Sequence, residues 1–185
     1  VLDVALLPVL GFCAMLLSVV PFFGGSVPRV FAHRGGCALG PEKTMAAFER
    51  GLAAGADGLE LDVHLSSDGV PVVCHDATLD RTTNESGRID RRTAAELSRI
   101  DAGFRWLDDA GNAPFRAGGI GIPRLRDVLR RFTDVPIIIE MKVDHAEMGQ
   151  AVAFEVLAAS AVERVCAAGD GSRAVRAARA ALPSM

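Results

Sequence analysis

The run GLELDVHLSSDGVPVVCHD, residues 58–76, constrains the fold of this chain more than any other stretch. Apolar and polar residues alternate from Gly58 to Leu65, SSDG supplies a turn, and VPVV returns toward His75 and Asp76. That pattern predicts a strand, a tight turn and a second strand. Side chains on a strand alternate between faces, so Glu60 and Asp62, two positions apart, leave the same face. Two carboxylates side by side on a buried face repel each other and lose hydration, which costs several kcal/mol unless a cation sits between them. A hard divalent cation with oxygen ligands meets that need. His64 shares the parity of the pair but lies further along the strand, where a rim position is expected.

The same placement recurs along the chain. VPRVFA, residues 27–32, reads as a short strand that ends in His33, Arg34 and two glycines, which let the backbone turn sharply and approach a ligand. PEKTMAAFERGLAAGAD, residues 41–57, reads as a helix with Ala46, Ala47, Leu52 and Ala53 inward, closed by Gly55. Residues 76–121 form a polar excursion over the strand ends with a short helix behind Thr93; Arg81, Asn84 and Arg88 are candidate substrate contacts there, with solvated loop residues the preferred reading. IPRLRDVLRRF, residues 122–132, is an amphipathic helix. VPIIIEMK, residues 135–142, is the apolar run of a strand buried on both faces, and it ends in Glu140 and Lys142, again two apart. A helix over 146–160, a strand at RVCAAG and a helix at SRAVRAARAAL follow, with His145 expected as a solvated loop residue.

Strands alternating with helices predict an α/β fold with a parallel sheet. His33, Glu60, Asp62, His75 and Glu140 all fall at or near the carboxyl ends of its strands. That end carries the active site in (β/α)8 barrels and the ligand in doubly wound sheets. No G-x-G-x-x-G follows the first strand, which removes support for a dinucleotide fold.

Residues 4–23 carry no charge, about the ~20 residues that cross a bilayer. An N-terminal membrane anchor is the preferred reading, with a cleaved signal (and so a secreted or periplasmic product) or a buried core helix as alternatives. Two segments result: 1–26, hydrophobic, and 27–185, the α/β domain. A formal net charge of −3 argues against a protein built to coat nucleic acid, and Cys13, Cys37, Cys74 and Cys166 show no metal-binding spacing.

HRGG, the PE-x-T-x-x-AF segment, ELDVHLSSDGVPVVCHD, IPRLRDVL and EMK, in that order, resemble the glycerophosphodiester phosphodiesterase family over roughly residues 27–183. The family is similar in design to the sphingomyelinase D enzymes, which share its barrel. The resemblance implies a (β/α)8 TIM barrel that hydrolyses glycerophosphodiesters, or lysophospholipids, to glycerol 3-phosphate (or lysophosphatidate) and an alcohol. It implies His33 and His75 as the catalytic histidines, and Glu60, Asp62 and Glu140 as ligands of one divalent cation, Ca²⁺ or Mg²⁺. Arg34 and Lys142 match the cationic residues near the phosphate. In such a family the attacking group is the glycerol 2-hydroxyl, giving a cyclic phosphate that water opens.

Two departures stand out. Lys43 occupies a position where the family commonly has Asn, beside Glu42, a candidate neighbour of the site. A complete barrel takes about 250 residues, so the expected fold is that barrel truncated to about its first four strand–helix units, behind an N-terminal hydrophobic helix. A related barrel phospholipase, of sphingomyelinase D or phosphatidylinositol-specific phospholipase C type, and an inactive truncated barrel are the alternative readings.

Overall fold

The computed structural model of the chain describes Phe22 and residues 28–183. In chain order the elements are β1 (Phe31–Ala32), α1 (Met45–Ala53), β2 (Gly58–Leu65), β3 (Pro71–Val73), α2 (Ala94–Leu97), α3 (Leu125–Arg131), β4 (Ile137–Met141), α4 (Ala146–Ala158), β5 (Val165–Gly169) and α5 (Ser172–Ala181). The sheet runs β1-β2-β4-β5 with parallel neighbours, and β3 pairs antiparallel with the end of β2. This is an α/β fold, with a helix after each parallel strand.

One face of the sheet is closed by helices. Leu59, Leu61 and Val63 of β2 and Ile137, Ile139 and Met141 of β4 join Val128, Val152 and Val156 in one apolar cluster. Each such side chain contributes about 1.5–3 kcal/mol on burial. A smaller cluster under the 76–121 excursion gathers Val72, Leu79, Ile89, Leu97, Ile100 and Ile122, so that loop is packed rather than draped. Its helix α2 carries the expected Thr93 cap in a full capping box with Glu96.

Several boundaries differ from the sequence expectation. The first strand shortens from 27–32 to Phe31–Ala32, because only those residues pair with β2, at Gly58 and Leu59. The first helix spans Met45–Ala53 rather than 41–57, since the Thr44 side chain caps it by accepting from the Ala47 amide. Its inward face is Ala47, Phe48 and Gly51, while Ala53 is exposed. Gly51 is required there: a Cβ would lie 2.6 Å from the Gly35 carbonyl oxygen. The uncharged stretch 4–23, expected as an anchoring helix, lies outside the described residues apart from Phe22. Among the described residues no helix is long and apolar enough to cross a membrane.

Candidate active site

The parallel register between β2 and β4 sets Asp62 directly beside Glu140, with Glu60 two residues back on the same face. The carboxylates of Glu60, Asp62 and Glu140 converge, with ligand oxygens all within 4.8 Å of one another. Such a set, hard oxygens alone, suits a hard divalent cation. Two ammonium groups share the cluster. Lys142 Nζ lies 2.6 Å from Glu140 Oε1 and 3.6 Å from Asp62 Oδ1. The hydrogen bond to Glu140 raises the Lys142 pKa against the pull of burial, and the charge of Asp62 adds to it. Lys43 Nζ lies 3.1 Å from Glu60 Oε2 and also pairs with Asp62 Oδ2.

The loop after β1 delivers the next groups. His33–Gly35 form a tight, kinked turn in which Arg34 takes a left-handed backbone with a φ of 53°. Lys43 has a φ of 62°, and its amide donates to the Arg34 carbonyl at 3.1 Å, so two left-handed residues are tied together. Left-handed non-glycine residues cost of order 1–3 kcal/mol each and persist where the surroundings over-determine them. Gly35, with φ 79°, has no room for a side chain, since a Cβ there would meet the Phe48 ring at 2.3 Å. In this conformation the Arg34 amide donates to Glu60 Oε2 at 2.7 Å.

The β2–β3 hairpin returns His75 to the same end of the sheet. His75 Nδ1 lies 2.7 Å from Asp76 Oδ1 and His75 Nε2 lies 2.7 Å from Arg34 Nη2. A carboxylate only accepts and a guanidinium only donates. Nδ1 therefore carries the hydrogen, and the Nε2 lone pair accepts from Arg34. Arg81 closes the arrangement: it bonds both oxygens of Glu42, at 2.6 and 2.9 Å, and Asp76 Oδ2 at 2.6 Å. Its hydrogen bond is the main reason the Asp76 carboxyl is held down at about 2, with His75 adding to the effect. Burial pushes the Glu42 carboxyl up, but Arg81 and Arg34 together outweigh it and leave it below the usual range. A cleft of about 140 Å³ opens on the Glu42–Arg81 side, bordered by Cys37, Arg105 and Trp106.

All the expected site residues except His33 enter this hydrogen-bonded cluster. His33 stands exposed at the end of β1, next to Arg34. Sequence reasoning missed several contributors. Arg81, expected as a solvated loop residue, is an ion-pair partner of both Glu42 and Asp76. Arg88 does remain at the surface, paired with Asp90. His64, expected at the rim, is buried, and its Nε2 lies 3.1 Å from the His75 carbonyl oxygen, to which it must donate. Burial pulls the His64 pKa down, so the neutral ring positions His75 through the backbone. The parity of His64 with Glu60 and Asp62 was the available signal. Exposed His145 precedes α4, as expected.

Comparison with known proteins converges on one group. The sequence model of the glycerophosphoryl diester phosphodiesterase family matches residues 33–180. The chain is 40% identical over 114 residues to a glycerophosphodiester phosphodiesterase of Caldanaerobacter subterraneus subsp. tengcongensis, covering 62% of this chain and 44% of that protein. It is 44% identical over 105 residues to one from Bacillus altitudinis, covering 57% and 40%. Among solved structures, a glycerophosphodiester phosphodiesterase from Agrobacterium tumefaciens str. C58 superposes with a TM-score of 0.73 at 32% identity, over 86% of this chain and 65% of that one. An Oleispira antarctica phosphodiesterase, solved in complex with the product sn-glycerol-3-phosphate, gives 0.72 at 27% identity over 85% and 63%. The chain thus spans less than half the length of these curated relatives and under two thirds of these solved ones.

Proposed function

The chain belongs to the glycerophosphoryl diester phosphodiesterase family, and from that premise we propose that it hydrolyses glycerophosphodiesters to glycerol 3-phosphate and an alcohol. The observation that carries the reading is the meeting of Glu60, Asp62 and Glu140 with the Arg34–His75–Asp76 chain at the carboxyl ends of β2 and β4. A phosphodiester is anionic, and its cleavage needs positive charge on the phosphoryl oxygens together with one proton removed and one supplied.

Lewis-acid charge for a phosphoryl oxygen is what a divalent cation held by Glu60, Asp62 and Glu140 would supply. Arg34 is assigned to the phosphate as well: its Nη2 leaves His75 Nε2 for a phosphoryl oxygen when substrate enters. That exchange frees the Nε2 lone pair to take the proton of the attacking hydroxyl, while Asp76 holds Nδ1–H and stabilises the imidazolium. The exposed His33 is assigned the proton for the departing alkoxide. Lys142 balances Glu140 and Asp62 and faces the same phosphate.

The barrel belongs to the proposal too. The parallel strands β1, β2, β4 and β5 with their helices are read as half of a (β/α)8 barrel, whose remaining strands pair at the edges of β1 and β5. The carboxylate-bearing face then lines its interior. Membrane attachment through residues 4–23 is the remaining part, and it is tested by partition of the chain between detergent and aqueous phases.

The deciding experiment is release of glycerol 3-phosphate from glycerophosphocholine, run with the chain alone and with the chain fused in frame to the remaining barrel segment of a relative. Lysophosphatidylcholine and sphingomyelin serve as competing substrates. Turnover of glycerophosphocholine that is lost in both His33→Ala and His75→Ala is expected. No release from either form, or a preference for sphingomyelin, overturns the reading.

A further inference from the structure

Lys43 is the residue of the cluster that no acid–base or phosphate-binding role accounts for. Its side chain is 2% exposed, and its ammonium lies against Glu60 Oε2, Asp62 Oδ2 and, at 3.5 Å, the Glu60 carbonyl oxygen. The backbone aims it inward. The amide of Lys43 is bound to the Arg34 carbonyl, its φ is 62°, and the next residue, Thr44, is locked as the helix cap with its hydroxyl donating to the Pro41 carbonyl. A buried ammonium that leaves its carboxylates becomes an unpaired charge, which is far costlier than the pair. Lys142 differs: its side chain is 19% exposed.

The charge count sharpens the point. Three carboxylates with two ammonium groups leave a net charge of −1, whereas the carboxylates with Lys142 alone leave −2, the complement of a divalent cation. We propose that the Lys43 ammonium is a resident cation of this cluster, which competes with a divalent metal for Glu60 and Asp62 and so sets the metal affinity of the site. The proposal rests on the reading that Glu60, Asp62 and Glu140 hold such a metal. It makes this chain a weak binder of Mg²⁺ and Ca²⁺ whose charge balance is partly its own.

The test is calorimetric titration of the full chain with Mg²⁺ and, separately, Ca²⁺, for the natural sequence, Lys43→Asn and Lys43→Met, each with and without Glu140→Gln. Melting curves establish which variants are folded. Expected is a natural chain with a Kd weaker than about a millimolar, the weak end for oxygen-ligand sites. Removal of a unit positive charge this close to the metal position should tighten binding at least ~100-fold, and Glu140→Gln should abolish the gain. Equal affinity in the natural chain and the Lys43 variants, with loss on Glu140→Gln, keeps the metal site and overturns the role of Lys43. Absence of binding in every protein removes the metal site and the proposal with it. Should the Lys43 variants be unfolded without metal, their refolding by millimolar Mg²⁺ or Ca²⁺ supports the proposal, and failure to refold overturns it.

Discussion

On the helix-covered face of the sheet Leu59, Leu61, Ile137 and Ile139 are wholly buried, whereas on the opposite face Ile138, Glu140 and Cys166 are only half-buried beside Glu60. Both sets of side chains come from the same few strands and differ only in parity. The strand period of two therefore lets one backbone serve two purposes. Its odd-numbered residues hold the helices, and its even-numbered ones present carboxylates. The faces are not wholly separate, however. Asp62, on the carboxylate face, is as buried as the core, because two lysine side chains cover it.

That exception gives the largest expected effect. Asp62→Ala strands the Lys43 ammonium against a single carboxylate in a buried site, and breaking a buried pair costs about 3–5 kcal/mol. Denaturant unfolding of the variant checks this, and a loss near zero would mean that Asp62 belongs energetically with the solvated groups. The face contrast itself is sharpened by two adjacent truncations. Ile139→Ala should cost about 2–5 kcal/mol, while Ile138→Ala should cost about 1 kcal/mol or less, in the same unfolding assay. Equal costs would break the comparison.

How far this was legible in the sequence follows the same division. Strand parity places Glu60 and Asp62 on one face from spacing alone, and the apolar run 137–139 marks β4 without help from tertiary structure, whereas the meeting of Glu140 with that pair depends on the register between β2 and β4. Arg81 was not legible, because it reaches Glu42 from an irregular loop across 39 residues of chain. No periodicity describes such a loop. The inward turn of Lys43 depends on a left-handed backbone residue, which a helix pattern drawn from 41 onward had absorbed. His64 read as a rim residue from its place late in the strand, whereas its burial comes with the His75 carbonyl that the hairpin brings to its Nε2, a contact the strand period does not encode.

Two smaller effects probe the His75 side. His75→Ala should lower kcat on glycerophosphocholine by ~10²-fold or more, the scale of lost acid–base catalysis, with little change in stability. His64→Ala removes the donor to the His75 carbonyl and should lower kcat by about tenfold, at a stability cost of about 1–2 kcal/mol. Equal losses of kcat in the two would give His64 a role in the chemistry itself.

The smallest effect is electrostatic. The Asp76 carboxyl titrates at about 2 when folded, against an ordinary value of 3.8, chiefly through Arg81. A depressed folded-state pKa contributes stability that is present above the unfolded value and lost as pH falls toward the folded one. The natural chain should thus shed this contribution between about pH 4 and pH 2. Arg81→Ala should move the Asp76 midpoint upward toward 3.8, read from its side-chain carbon resonance. An unchanged midpoint would assign the depression to His75 instead.

The β2 strand accepts hydrogen bonds from two very different distances along the chain. The Cys74 amide donates to the Asp62 carbonyl across the hairpin, and the Lys142 amide donates to the Val63 carbonyl from the far side of the long excursion. Hairpins close in about 1–10 μs, whereas a long loop must first meet its closure entropy before any contact rewards it. The site should therefore assemble in two stages: the hairpin that carries His75 back beside Asp62 closes early, and Glu140 and Lys142 arrive with the docking of β4. In a pulsed hydrogen-exchange refolding experiment the Cys74 amide should gain protection before the Lys142 amide, and simultaneous protection would remove the two stages. The strand that holds both halves of the chemistry is thus also the clock of its assembly.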